Sequence, residues 1–200
     1  MQLAFLGRIE EHEEAALELA NFCFETLDVN RVIYVGGDDG LDRVVAARFS
    51  QLKPPLDRIR DFGAQAFWQR TMPMVEATPH SVREFVAQEQ RLLSLMRLET
   101  IAEGTPSMPL IATWQHFKVC AKITGDEAAT DTGDLLVLGA RHPAKLPKSR
   151  QPPLTFAPGS LSEAGLLVLR LGTEPTVTVD VELLDRHGKR RDHYHWHLWD

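Results

Sequence analysis

Apolar positions along the first 40 residues alternate between short unbroken runs and a helical spacing. "MQLAFLGRI" opens the chain with an apolar run of the kind that forms a strand covered on both faces. It is followed by "EEHEEAALELANFCFETLDV", in which Ala16, Leu19, Cys23 and Leu27 share one helical face and Glu10, Glu11, Glu13 and Glu14 crowd the first turn, where the helix dipole favours acids. "RVIYVGGDDG" then reads as a second buried strand entering a glycine-rich loop. Strand, helix and strand together predict a β-α-β unit with a right-handed crossover and a parallel pair.

The middle of the chain has helical periodicity. One helix is expected over Leu41–Leu52, a break at Pro54 and Pro55, and a second helix over about Asp57–Gln69. A longer helix is expected over Pro79–Ala102, with Thr78 as its N-cap, Pro79 in the first turn and Gly104 beyond its end. Its apolar positions include Val82, Phe85, Val86, Leu93 and Met96, and the stripe of Phe85, Leu92 and Met96 reads as core-facing, with an interface as the alternative.

From Leu110 the period changes to two. "LIATW", "HFKVCAKI", "DLLVLGA", "PLTFAPGS", "GLLVLRL", "TVTVDVELLD" and "RDHYHWHLW" each predict a strand, and "DRHGK" predicts a hairpin turn between the last two. An α/β half followed by a β-rich half predicts two stacked sheets flanked by helices within one domain of 200 residues.

Charge and composition narrow the function classes. A net charge of -6 argues against a general nucleic-acid or membrane-surface binder, because polyanions are met with a basic face. No apolar run reaches the length needed to span a bilayer, and the N-terminal residues lack a basic segment followed by an uncharged apolar core, so a cytoplasmic location is expected. The two cysteines, Cys23 and Cys120, lie in apolar segments and read as buried thiols.

In the order of its segments the chain resembles the calcineurin-like metallophosphoesterases, particularly their small bacterial branch. "DLLVLGARHPAKL" is similar to the strand and loop that carry the family's Gly-His-x-His motif, "LTFAPGS" to its Asn-Pro-Gly-Ser turn, and "GLLVLRL" with "VTVDVELLD" to its closing strands. "LAFLGRIEEHEEAALEL" is similar in pattern to the opening strand, Asp-x-His-Gly-Asn loop and helix. The resemblance covers about residues 1–40 and 115–186; a divergent helical segment at about 41–104 is unlike the family. It implies a four-layer α/β/β/α sandwich of two mixed sheets flanked by helices. It also implies a site where two divalent metals, held by aspartates and histidines at strand ends, generate a hydroxide and clamp a phosphoryl group.

Position by position, that ligand set is altered here. Arg8 stands where the family has the first aspartate, and Glu10 where it has the first histidine. "VGGDDG" places Gly37 at the bridging aspartate or, with one inserted residue, Asp38. The Gly-Asn-His-Asp motif has no counterpart, since Asn21 and Asn30 are the only asparagines and neither precedes a histidine. Thr124 precedes Gly125 at the His-Gly position, and Gly-His-x-His has become Gly139, Ala140, Arg141, His142. The resemblance therefore implies a catalytically deficient phosphoesterase-like protein acting as a binding, scaffold or regulatory module. No resident cofactor is expected; if a divalent metal such as Mn2+ or Zn2+ is retained, Asp38, His142 and Glu10 are its ligands and the chain is a phosphoesterase with a reduced site.

Four further features admit more than one reading each. Arg8 either stands in the place of a metal, pairs with Asp38 or, with Arg141, receives an anion such as a phosphate or carboxylate, or it forms a fold-stabilising ion pair in the vacated site. "GGDDG" is either an ordinary turn with an acidic rim or a residual ligand contact. His193, His195 and His197 project from one face of the last strand, with Tyr194 and Trp196 on the other; they are either a solvated face or, with a third donor from a neighbouring strand, an alternative metal site. Phe67, Trp68, Met72 and Met74 in the divergent segment suggest a cover over the strand-end site or a surface for a partner. The expected partner is another protein, self-association being open, and neither nucleic acid nor a membrane.

Overall fold

The computed structural model describes residues 1–50, 71–72, 78–101, 110–115, 117–123, 133–139, 142–148, 151–172 and 177–197. The β-α-β unit is present: β1 (Gln2–Leu6) and β2 (Arg31–Tyr34) lie parallel, with Leu3 opposite Arg31 and Leu6 opposite Tyr34, and α1 (Glu13–Glu25) makes the crossover. Next come α2 (Gly40–Ser50), α3 (Pro79–Met96) and β3 (Leu98–Thr100). The β-rich half contributes β4 (Leu110–Trp114), β5 (Phe117–Lys122), β6 (Leu135–Leu138), β7 (Leu154–Phe156), β8 (Leu166–Gly172), β9 (Thr178–Leu184) and β10 (Arg190–His197).

These strands form two mixed sheets, a six-stranded one in the order β10-β9-β8-β1-β2-β3 and a four-stranded one in the order β4-β5-β6-β7. Alternation decides where each side chain goes. Leu3, Phe5, Ile33, Leu167, Leu169, Val179 and Val181 leave the first sheet toward Val119, Ala121, Leu135, Val137, Leu154 and Phe156 of the second, forming the core between the sheets. Ala4, Leu6, Val32, Tyr34, Leu166 and Val168 point the other way, onto Ala16, Leu19 and Cys23 of α1 and Leu41 and Val44 of α2. β1 is thus apolar from Leu3 to Leu6 because it is covered there on both faces. Leu136 and Leu138 are buried on the outer face of the four-stranded sheet, with Cys120 and Ala157. Both cysteines are buried free thiols, and no helix among the described residues is long and apolar enough to cross a membrane.

Three local expectations are corrected. The long helix stops at Met96 rather than at Ala102, because Leu98–Thr100 pairs in parallel with β2 and forms the sheet edge. Thr78 does cap its start: the Ser81 N–H donates to Thr78 Oγ1 at 3.3 Å. The apolar stripe of α3 does not face inward as a whole. Val82, Val86 and Leu93 are exposed and Phe85 is half-buried, while buried Ser94 turns to Asn21 of α1 at 3.2 Å; the side chains of Leu92 and Met96 lie outside the described residues. Glu10 and Glu11 do not belong to the first turn of α1, which begins at Glu13; Glu10 instead adopts a left-handed backbone, φ 55°, in the loop after β1.

Candidate functional site

Four strand ends meet at one rim. Gly7 follows β1, and a Cβ there would collide with the Gly159 carbonyl, so glycine permits the approach of the turn after β7. That approach is then fastened: the Gly7 N–H donates to Gly165 O at 2.8 Å, Arg8 bridges Ser160, and the Leu161 N–H donates to Arg8 O at 2.9 Å. Val35 beyond β2 donates to Leu6 O at 2.8 Å, and Gly139 beyond β6 lies against Val35. Lys145 bridges Ala157, tying the His142 loop to the end of β7. The loops after β1, β2, β6 and β7 are therefore neighbours. Ligands commonly bind at such a crevice of carboxyl strand ends.

On this rim the Arg8 guanidinium donates to Glu10 Oε1 at 2.5 Å, and Ser162 donates its hydroxyl to Glu10 Oε2 at 2.7 Å. Ser160 Oγ lies 2.7 Å from Ser162 Oγ. The hydrogen bond from Arg8, followed by that from Ser162, holds the Glu10 carboxyl below the usual carboxylate range, and the same pairing raises the Arg8 guanidinium. Asp38 Oδ1 accepts from the Tyr34 hydroxyl and, at 3.0 Å, from the Gly40 N–H that opens α2. Burial first, and then the Asp38 carboxylate, push the Tyr34 phenol above its ordinary value. Asp39 pairs with Arg43 at 2.9 Å, and Arg43 also reaches the Glu10 carbonyl at 3.4 Å. Beside these residues is a cleft of about 330 Å³ lined by Tyr34, Asp38, Asp39, Asp42, Thr100 and Ile101.

His142 lies in the loop after β6, its backbone N–H donating to Gly139 O at 3.3 Å. Arg141, Phe67, Trp68 and Met74 lie outside the described residues, and Met72 is exposed. Among the described residues, no three His, Cys, Asp or Glu side chains are grouped so as to hold a metal ion.

The last strand presents a second cluster. Tyr194 packs edge-on to Phe156 and Trp196 is buried, so His193, His195 and His197 project outward on the opposite face. β9 supplies a carboxylate the sequence did not place there. Asp180 stands directly opposite His195, and its Oδ1 lies 2.6 Å from His193 Nε2 and 3.3 Å from His195 Nδ1. His195 Nε2 and His197 Nε2 are 3.1 Å apart.

No protein-family model matches the chain, and no curated protein matches it. A solved structure to which it is similar is that of a conserved uncharacterized protein of Streptococcus pneumoniae TIGR4, described as a predicted phosphoesterase. The likeness extends over 98% of each chain, with 11% sequence identity and a TM-score of 0.45.

Proposed function

We propose that this chain is a phosphoesterase-like protein that works by binding, as a scaffold or regulatory module for another protein in the cytoplasm, and does not hydrolyse phosphoesters. The observation that carries the reading is the Arg8–Glu10 pair. A cation occupies the first ligand position of the resembled family, and the carboxylate two residues on is held by Arg8 and Ser162. A di-metal centre needs several anionic or imidazole donors converging on each ion. Here the donor set does not fit one: Arg8 would repel a cation at close range, and Asp38 Oδ1 already accepts from Tyr34 and Gly40.

The test uses untagged protein carrying His195→Ala and His197→Ala, so that only the strand-end rim is probed. It is incubated with Mn2+, desalted, and assayed for bound metal and for hydrolysis of an activated aryl phosphodiester. Metal near zero with no hydrolysis supports the binding role. One metal per chain, lost with Asp38→Ala or His142→Ala and accompanied by turnover, would establish instead a phosphoesterase using Asp38, Glu10 and His142.

A further inference from the structure

From the geometry of β9 and β10 we infer that His195 and His197 form a two-imidazole site for a borderline divalent transition-metal ion such as Zn2+ or Cu2+, with Asp180 as the positioning residue. The site stands apart from the strand-end rim and is independent of the role proposed for it.

The inference rests on which nitrogen carries the proton. An ionised carboxylate only accepts hydrogen bonds, so the imidazole nitrogen facing Asp180 Oδ1 is the protonated one. His195 presents Nδ1 to that oxygen at 3.3 Å, which leaves its Nε2 lone pair directed away from Asp180. That lone pair meets His197 Nε2 at 3.1 Å, with the two rings nearly perpendicular at 81° and their centroids 4.6 Å apart. Two imidazole nitrogens bound at about 2.0–2.1 Å to one tetrahedral Zn2+ are separated by about 3.3 Å. In the metal-free chain one Nε2–H bridges the pair; a cation takes its place at nearly the same spacing, with His197 carrying its proton on Nδ1 instead.

Asp180 acts as the outer carboxylate of a carboxylate–histidine–metal arrangement, fixing the tautomer and the ring orientation of His195. Its own position is over-determined: His193 donates to the same oxygen at 2.6 Å, and Arg170, paired with Glu182 at 2.6 Å, lies 3.8 Å from Oδ2. Two nitrogens are the whole protein contribution, consistent with the absence of any three-ligand group among the described residues. The remaining coordination positions on this exposed face go to water or to a donor from another molecule.

The test is Zn2+ titration of untagged protein by calorimetry, with Cu2+ electron paramagnetic resonance on the same samples. One ion per chain is expected. His195→Ala or His197→Ala should weaken binding at least tenfold, and Asp180→Asn by roughly 10–100-fold, as loss of an outer-shell carboxylate does. His80→Ala, on the exposed face of α3, should leave it unchanged. The Cu2+ spectrum should show coupling to two imidazole nitrogens, lost in either histidine variant, while circular dichroism confirms that each variant is folded. Failure of the wild-type chain to bind Zn2+, equal affinity in the histidine variants, or a Cu2+ spectrum without imidazole coupling would each overturn the assignment.

Discussion

Gly139→Ala tests whether the strand ends meet as described. A Cβ built on Gly139 would run into the backbone carbonyl of Val35 and stand 2.8 Å from the Val35 Cβ. Neither atom can rotate away, since Val35 is fixed by its hydrogen bond to Leu6 O and Gly139 by its own to Lys122 O, both at 2.8 Å. The added methyl must therefore separate the end of β6 from the end of β2. Forcing an extra carbon into such packing costs about 1–3 kcal/mol. At about 2–4 °C per kcal/mol for a domain of this size, the melting temperature should fall by about 2–12 °C. Gly172→Ala is the matched control: its Cβ would meet Thr178 Oγ1 at 2.6 Å, the tip of a side chain that can turn aside. Thermal unfolding followed by circular dichroism reads both variants. If Gly139→Ala melts with the control, the two sheets do not close at this point and the rim described above is wrong.

Phe156→Ala, which empties a fully buried position between the sheets, should cost about 3–5 kcal/mol in urea unfolding, and a loss below about 1 kcal/mol would contradict that placement. Asp185, buried in the hairpin turn, accepts from the His187 and Lys189 N–H groups at 2.9 and 3.0 Å and from Arg191 at 3.0 Å; burial opposes its charge, but these donors hold the carboxyl below its ordinary value. Asp185→Ala should therefore destabilise by about 2–3 kcal/mol, with early hydrogen exchange at His187 and Lys189; unchanged exchange there would refute the turn network. Glu10→Gln should destabilise by no more than about 1 kcal/mol at pH 7, because Arg8 remains in contact with water. Since the folded-state pKa of Glu10 is depressed, its contribution is present above the unfolded value of about 4.3 and is lost as pH falls through the folded value. The difference from wild type should shrink on acidification, and a gap constant from pH 7 to pH 3 would remove the ion pair from consideration.

What the sequence disclosed followed from periodicity, and what it concealed followed from contacts distant in the chain. β1, β2 and the strands from Leu110 onward are legible because burial on one or both faces writes itself into runs or alternation. β3 was absorbed into the preceding helix because Leu98, Glu99 and Thr100 carry no strand pattern of their own. They are recruited by β2, with Arg31 clasping Glu99 at 2.6 and 2.5 Å and Ile111 O at 2.5 Å. The same Arg31 ties the edge of one sheet to β4 of the other, a link no local reading supplies.

Asp180 was missed for a different reason. Counting outward from the turn, Leu184 opposite Arg190 places Asp180 opposite Tyr194. The irregularity between Arg190 and Asp192 shifts the register by one, so that Asp180 meets His195. A single extra residue in one strand is invisible to alternation yet changes which side chains face each other across the pair. Similarly, the Arg8–Glu10–Ser162 contact joins the first loop to one beyond β7, and it corrects the expectation that Asp38 is the partner of Arg8.

The place of β1 has a bearing on how the chain is made. It lies inside the six-stranded sheet, with Gln2 opposite Arg170 and Leu6 opposite Leu166. During synthesis the opening strand therefore emerges long before its antiparallel neighbour and waits beside β2 with one hydrogen-bonding edge bare. Such distant pairing slows folding, because the loop must close before the contact rewards it, and the bare apolar edge invites association with other nascent chains. Ribosome-bound fragments ending before β8 should thus be the species most dependent on chaperones.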